Sequence, residues 1–420
     1  MKHIVVLGSS QAGLKAVERI KERSQEYTFT IISLDGSYPS DRDKFAQLIA
    51  KNIKPSELLL RDKKYFEANA INVVLEKRID RINFNRQVIF TESKEQIPYD
   101  ILLLCDFPAE QWPEIKGTNK QGIFSLSKAK NVLDAYEMLP IAEAVVIESD
   151  RPEGFLFALG YMANNKDVSL ITRKETLLPG FLSKEVSDKL IFALAERGLN
   201  IYTSNEIAEV LGEGEAKAVR LKTNKVLASD ITYLADVLPD PKFVKQSSLA
   251  LAERITVDQN QRTNLDNVFA LDLASVNPGC LRGKFKAAAF LEQEGLRAAS
   301  QILGEEPSGS EPIAVRSLKS EAISISFYGE ASLGCEFKEV FDAQAFIYKR
   351  LIYAKGKPTG AVLINALDKC ALIEQYLKNE IGWERIASEF AVNDAPAAPI
   401  ELNNEEPSSE RQHTGPSQPA

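Results

Sequence analysis

Short apolar runs alternate with stretches of helical periodicity along this chain, and their order predicts its architecture. Residues 4–7 form a continuous apolar run. Leu14, Val17 and Ile20 then fall at helical spacing, and residues 28–34 are rich in β-branched side chains. That order is strand, helix, strand. Short strands are predicted at 71–75 and 87–90, and a buried strand at 99–104. Near Ala144 the pattern starts again, with a strand at 145–147, a helix at 155–163, a strand at 168–171 and a helix at 183–197 that stops at Gly198. The closing strands of this second set end near Leu234, after which the chain returns to a strand at 267–271 and a helix from about 285 to 303. One βαβ set therefore lies inside the span of another.

Residues 304–310 have the composition of a linker. Beyond them, strands at 323–327, 339–341, 346–353 and 361–364 precede a helix at 370–378. From residue 393 onward Pro, Ser, Glu, Asn and Gln dominate, which predicts a disordered tail over 393–420. The expected fold class is α/β: two parallel-sheet domains, one inserted in the other, with a small C-terminal α+β domain. The expected boundaries are 1–115 with 237–306, then 116–236, then 311–390.

Composition narrows the function classes. A net charge of −8 supplies no basic field to attract polyanions, so no nucleic-acid partner is expected. Apolar runs end after about five residues, against roughly 20 for a membrane-spanning helix, so no membrane insertion is expected. Met1 leads almost at once into the first strand, leaving no room for a leader, and a cytoplasmic location is the expectation. The four cysteines, Cys105, Cys280, Cys335 and Cys370, form no closely spaced pair, so neither a metal site nor a redox dithiol is predicted, and each reads as a buried apolar residue. With only His3 and His413 present, histidine-based hydrolytic triads are excluded.

The candidate chemistry begins at the first strand-to-helix turn, Gly8-Ser9-Ser10-Gln11-Ala12-Gly13. A dinucleotide turn needs glycine first for the tight bend, a small residue third for close approach of backbone to a diphosphate, and glycine sixth for helix-strand packing. Gly8, Ser10 and Gly13 meet those needs. Asp35 follows some 20 residues after Ser10, at the place of a ribose-binding acid. Both parallel-sheet domains are accordingly expected to be Rossmann-like dinucleotide-binding domains.

At this point the chain resembles the pyridine-nucleotide oxidoreductase family, in the branch of rubredoxin reductases, ferredoxin reductases and the flavin module of nitrite reductase. The resemblance rests on Tyr38-Pro39-Ser40-Asp41-Arg42, Leu58-Leu59-Leu60-Arg61, Ile97-Pro98-Tyr99-Asp100, Leu177-Leu178-Pro179, Asn267-Val268-Phe269-Ala270-Leu271-Asp272 and Gly360-Ala361-Val362-Leu363. It implies an FAD-binding first domain, an NAD(P)H-binding inserted domain, and a third domain that covers the flavin and forms dimer or partner surfaces. The implied FAD-site residues are Gly8, Ser10, Gly13, Asp35, Arg42 and Asp272.

Departures from that branch shape the functional expectation. The second turn reads Glu148-Ser149-Asp150-Arg151-Pro152-Glu153-Gly154, and the simplest alignment puts Glu148, Asp150 and Glu153 at the three glycine positions. Carboxylates there repel a diphosphate, so NAD(P)H binding is expected to be lost, with Arg173 the one residue suited to a 2′-phosphate. In the first domain Leu271 replaces a glycine and is expected to crowd the flavin. Cys105-Asp106-Phe107 replaces a small-residue turn, Gln47 stands where the branch often has lysine, and the ribose acid aligns with Leu34 unless the register shifts to Asp35. The expected function is an FAD-binding electron-transfer flavoprotein subunit with impaired or absent NAD(P)H binding, served by a redox protein partner or working as a homo-oligomer. The alternatives are a nucleotide-free pseudoenzyme acting as a scaffold and an NAD(P)H-dependent FAD reductase. The aromatics Phe327, Tyr328, Phe337, Phe341, Phe346, Tyr348 and Tyr353 read as strand core rather than a cofactor box.

Overall fold

The computed structural model describes residues 1–390 except 76, 235–236, 278–285, 307–311, 321–322, 330–334 and 343. Cys280 and the tail from 393 lie outside the described residues. The first sheet is parallel, in the order Val268–Ala270, Ile101–Leu104, Lys2–Leu7, Tyr27–Ile32, Ile71–Val74. Its late strand comes from beyond the inserted segment. So does helix Ala288–Leu303, which lies so close on helix Gln11–Arg23 that a Cβ on Gly295 would stand 2.3 Å from the Ala12 carbonyl oxygen. The interrupted domain is thereby observed.

The second sheet is also parallel, in the order Leu199–Tyr202, Asp167–Ile171, Ala144–Glu148, Ile231–Leu234, Ile123–Ser125. Both central strands run as unbroken apolar segments buried on both faces, as strands of a covered parallel sheet should. The third sheet is antiparallel, in the order Val315–Lys319, Ser324–Gly329, Lys357–Ile364, Ile347–Ala354, Glu336–Asp342. Phe327, Tyr328, Tyr348 and Tyr353 are core, as expected. Phe337 is not: it is 44% exposed and carries the Arg350 guanidinium 3.7 Å above its ring.

Three connections matter for the site. The short helix Phe45–Ile49 packs on helix Pro152–Met162, where Gly160 lets the Ala46 carbonyl approach and Asn164 Nδ2 donates to the Ile49 carbonyl at 2.8 Å. A single apolar core then runs from Phe45, Leu48 and Ile49 through Phe155 and Leu159 to Phe327 and Ile352 of the third sheet. All three units share it. Helix Ala129–Met138, which the sequence reading did not predict, enters beside the first turn. Among the described residues no helix is long and apolar enough to cross a membrane, and no group of three or more His, Cys, Asp or Glu side chains is arranged to hold a metal.

Candidate functional site

The strand Lys2–Leu7 ends between Tyr27–Ile32 and Ile101–Leu104, where the strand order reverses and open parallel sheets bind their ligands. Gly8 takes a φ of +109°, its N–H donates to the Ile32 carbonyl at 2.8 Å, and a Cβ there would sit 2.8 Å from that of Asp106. Ser10 caps the helix by accepting the Ala12 N–H at 3.1 Å. Gly13 serves packing, since a Cβ would lie 2.5 Å from Val6 Cγ1 and 3.0 Å from the Cys105 sulfur. All three positions behave as a dinucleotide turn requires.

The charged residues converge on the same turn. Asp35 accepts from Ser9 Oγ at 3.1 Å, Ser33 Oγ at 3.0 Å and Ser37 Oγ at 2.7 Å, while Leu34 packs against the core. The acid that faces the turn is thus Asp35. Arg42 grips Asp272 with both ends of its guanidinium, Nη1 to Oδ1 at 2.8 Å and Nη2 to Oδ2 at 2.7 Å, and Ser10 Oγ adds a bond to Oδ2 at 2.8 Å. Burial pulls the Arg42 pKa down most, but Asp272, with Asp106 and Asp35, together outweigh it and hold the group above its usual value. Asp272 itself has a φ of +53°, and its N–H donates to Glu294 Oε2 at 2.8 Å. The left-handed residue is therefore Asp272. Leu271 keeps an extended φ and is fully buried in the core behind the first helix, which corrects the expectation that it crowds the cofactor.

Ser40 and Asp106, from two of the segments singled out in the sequence, line this cleft, and so do two residues that the sequence did not reveal, Ser127 and Lys128. Lys128 stands at the start of helix Ala129–Met138, whose buried Ala129, Val132 and Ala135 carry a three-residue spacing that could have revealed it. Burial pushes the Asp106 carboxyl up to about 6, against the pull of Lys128, the Phe107 N–H and Arg42. Phe107 turns away, into the core beside Phe243. The Cys105 thiol is wholly buried and pushed well up by that burial, which fits an apolar filler and not a nucleophile. The space left between these groups is about 20 Å³, on the scale of one water. The donors, a helix N-terminus, two serine hydroxyls, Arg42 and Lys128, together with the acceptor Asp35, fit the ADP half of FAD. Two members oppose it as placed: Asp106, and the Arg42–Asp272 grip that must open.

The second turn is superficially alike and chemically different. Ser149 N–H donates to the Ile171 carbonyl at 2.9 Å, the same bond that Gly8 makes, and Arg151 holds the N-cap place that Ser10 holds. The fingerprint positions are therefore Ser149, Arg151 and Gly154, one place on from the simplest alignment. Gly154 keeps the packing role, with Ser149 Cβ only 2.2 Å from where its own Cβ would be. The carboxylates flank those positions and are each committed elsewhere. Glu148 accepts the Ile207 N–H at 2.6 Å. Asp150 accepts Thr172 Oγ1 at 2.7 Å and the Arg173 N–H at 2.8 Å, and pairs with Arg173 Nε at 3.2 Å. Glu153 pairs with Arg316 of the third sheet at 2.7 Å, and burial lowers the neighbouring Arg151 to about 10. Close by, Asp43 Oδ2 accepts the Ala288 N–H at 2.9 Å, and burial pushes its carboxyl up to about 6. The second turn thus has an arginine at the second fingerprint position and an aspartate that spans to the next strand end.

Comparison with known proteins places these turns in context. Residues 2–279 match the family described as pyridine nucleotide-disulphide oxidoreductase. The chain is 24% identical over 339 residues to human apoptosis-inducing factor 3, covering 78% of this chain and 55% of that one. It is 21% identical to the assimilatory nitrate reductase electron transfer subunit of Bacillus subtilis, covering 90% of this chain and 49% of the relative. The chain thus spans about half the length of these curated relatives. A crystal structure of a covalent putidaredoxin reductase-putidaredoxin complex superposes with a TM-score of 0.78 at 14% identity, over 90% of this chain and 93% of that one, a likeness of fold.

Proposed function

The chain belongs to the pyridine nucleotide-disulphide oxidoreductase family, and from that premise we propose that it is an FAD-carrying electron-transfer subunit whose direct use of NAD(P)H is impaired. One observation carries the reading: the second turn is closed by its own side chains, with Asp150 bonded to Thr172 and Arg173 where a nucleotide ribose would lie. The first turn keeps the glycine conformation and helix N-terminus that accept a diphosphate. In this reading residues 1–115 and 237–306 form the FAD domain, 116–236 the disabled nucleotide domain, and 311–390 the covering domain.

FAD, when bound, supplies the electron chemistry, and the protein supplies placement. Gly8, Ser10 and the first-helix N–H groups would hold the diphosphate. Asp35 would hold the adenosine ribose, Asp272, once released by Arg42, would accept from a cofactor hydroxyl, and Arg42 and Lys128 would neutralise the phosphates. Electrons then arrive from a redox protein; the name of the Bacillus relative supports an electron-transfer role in general. A second reading, a nucleotide-free scaffold, draws on the bidentate Arg42–Asp272 pair, which already satisfies both groups.

The test is a visible spectrum of the purified protein after gel filtration, followed by anaerobic mixing with NADH or NADPH. Flavin absorbance that persists and is not bleached within seconds is the expected result. A colourless protein that takes up no FAD leaves the scaffold, and rapid bleaching overturns the impaired second site.

A further inference from the structure

Asp106 occupies an unusual position in the first cleft. It follows the Ile101–Leu104 strand, and its Cβ lies within contact of Gly8, the point at which backbone must come nearest a diphosphate. The groups facing it come from four elements: Lys128 at the start of the Ala129–Met138 helix, Arg42 from the loop after Ser40, Asp35 beyond the second strand, and the Gly8–Ser10 turn itself. Its own carboxylate already takes the Phe107 N–H at 2.8 Å. In the free protein two cations, Arg42 and Lys128, face three carboxylates, Asp35, Asp106 and Asp272, and the last already engages Arg42. Adding two phosphate charges leaves the cleft with more anions than its cations can match.

We propose that Asp106 is a proton-operated gate on dinucleotide capture: as a neutral acid it admits the diphosphate and can donate a hydrogen bond to it, and as a carboxylate it repels it. This rests on the reading of the first turn as an FAD site. Binding draws a proton onto Asp106, so affinity is greatest below about pH 6, where the free carboxyl is already neutral, and falls as pH rises through that value. With one proton taken up, the decline approaches about tenfold per pH unit above pH 7, until the pKa of the bound state is reached.

The experiment titrates full-length protein with FAD, followed by flavin fluorescence, and with ADP-ribose, followed by calorimetry, between pH 5 and pH 8. ADP-ribose carries a diphosphate diester that does not titrate in this range, so any slope belongs to the protein. The expected result is weakening of both ligands with rising pH in the wild type, and a flat, tight profile in Asp106→Asn. Asp106→Ser, which also removes the charge, repeats the measurement should the asparagine variant fail to fold. A wild-type affinity that is flat with pH, or a charge-removed variant that keeps the wild-type slope, overturns the gate and leaves the FAD site standing. If neither ligand binds wild type or variant at any pH, the FAD reading falls and the gate with it.

Discussion

The two strand-to-helix turns of this chain share a backbone plan and differ in what their side chains are asked to do. Each begins with an N–H bonded to the end of the neighbouring parallel strand, and each ends with a tightly packed glycine, Gly13 against Val6 of the strand and Gly154 against Ser149 of the turn itself. At the first turn a glycine in the left-handed region and a capping serine leave the helix N-terminus facing a cleft. At the second, serine and arginine take those places, and Asp150 bridges to the adjoining strand end. A packing glycine is present at both turns, while the residues at the two earlier places differ. The carboxylates at the second turn are each taken up by hydrogen bonds or ion pairs within the protein.

The largest expected difference comes from deleting the aspartate that ties each site together. Asp272→Ala strands Arg42 in a mostly buried place and removes an acceptor from Ser10, costing about 3 kcal/mol. Asp150→Ala leaves the Thr172 hydroxyl and a half-exposed Arg173 without that acceptor, costing about 1–2 kcal/mol. Chemical denaturation of the two variants in parallel measures both values. Equal losses would mean that the two turns are held equally, and a greater loss at Asp150 that the second is the better-built site.

The next effect in size is one of pH. Asp43 lies beside the second turn and caps the helix that flanks the first, and its carboxyl rises from 3.8 to about 6 on burial. A raised folded-state value means that the neutral form is preferred in the fold. Its contribution is present in full below pH 3.8 and is lost as pH rises through about 6. The shift is worth up to about 3 kcal/mol, discounted here to about 2 because the side chain is only partly buried. Asp43→Asn is expected to remove that share of the slope from the stability profile, and Asp106→Asn a separate share. A profile unchanged by both substitutions would show that neither carboxyl is shifted.

A smaller effect tests the shared plan itself. Gly13→Ala and Gly154→Ala each force a Cβ into contact at 2.5 Å and 2.2 Å respectively, and each is expected to cost about 1–2 kcal/mol by overpacking. Thermal melts of the two variants should fall together. A harmless alanine at 154 would mean that Gly154 is not the packing glycine, and that the alignment belongs one residue earlier.

Much of this was legible in the chain. Apolar runs and helical spacing located both parallel sheets, and the late strand at Val268–Ala270 marked the interruption, because periodicity follows directly from which faces are buried. All six first-site residues meet at one turn. What stayed hidden depends on contacts distant in sequence. The Arg42–Asp272 grip joins positions 230 residues apart, and Lys128 enters from a helix that local pattern reading passed over. The second turn was read one residue early because acidic residues fall at glycine spacing, and spacing cannot show which backbone N–H meets Ile171. Leu271 was misjudged for a related reason: sequence cannot show that its side chain turns into the core behind the first helix.

The smallest expected effect isolates the cap. Ser10 Oγ accepts the Ala12 N–H and donates to Asp272, whereas Arg151 at the matching place makes no side-chain cap bond. Ser10→Ala is therefore expected to cost about 1 kcal/mol, a drop of roughly 2–4 °C in Tm. The same substitution should weaken FAD more than it weakens the fold, because the hydroxyl also steadies the aspartate that Arg42 must release. Measured together, a Tm loss with unchanged FAD affinity would confine Ser10 to helix capping. A loss of both ties the cap to the ligand, a role for which the second turn offers no hydroxyl at the matching place.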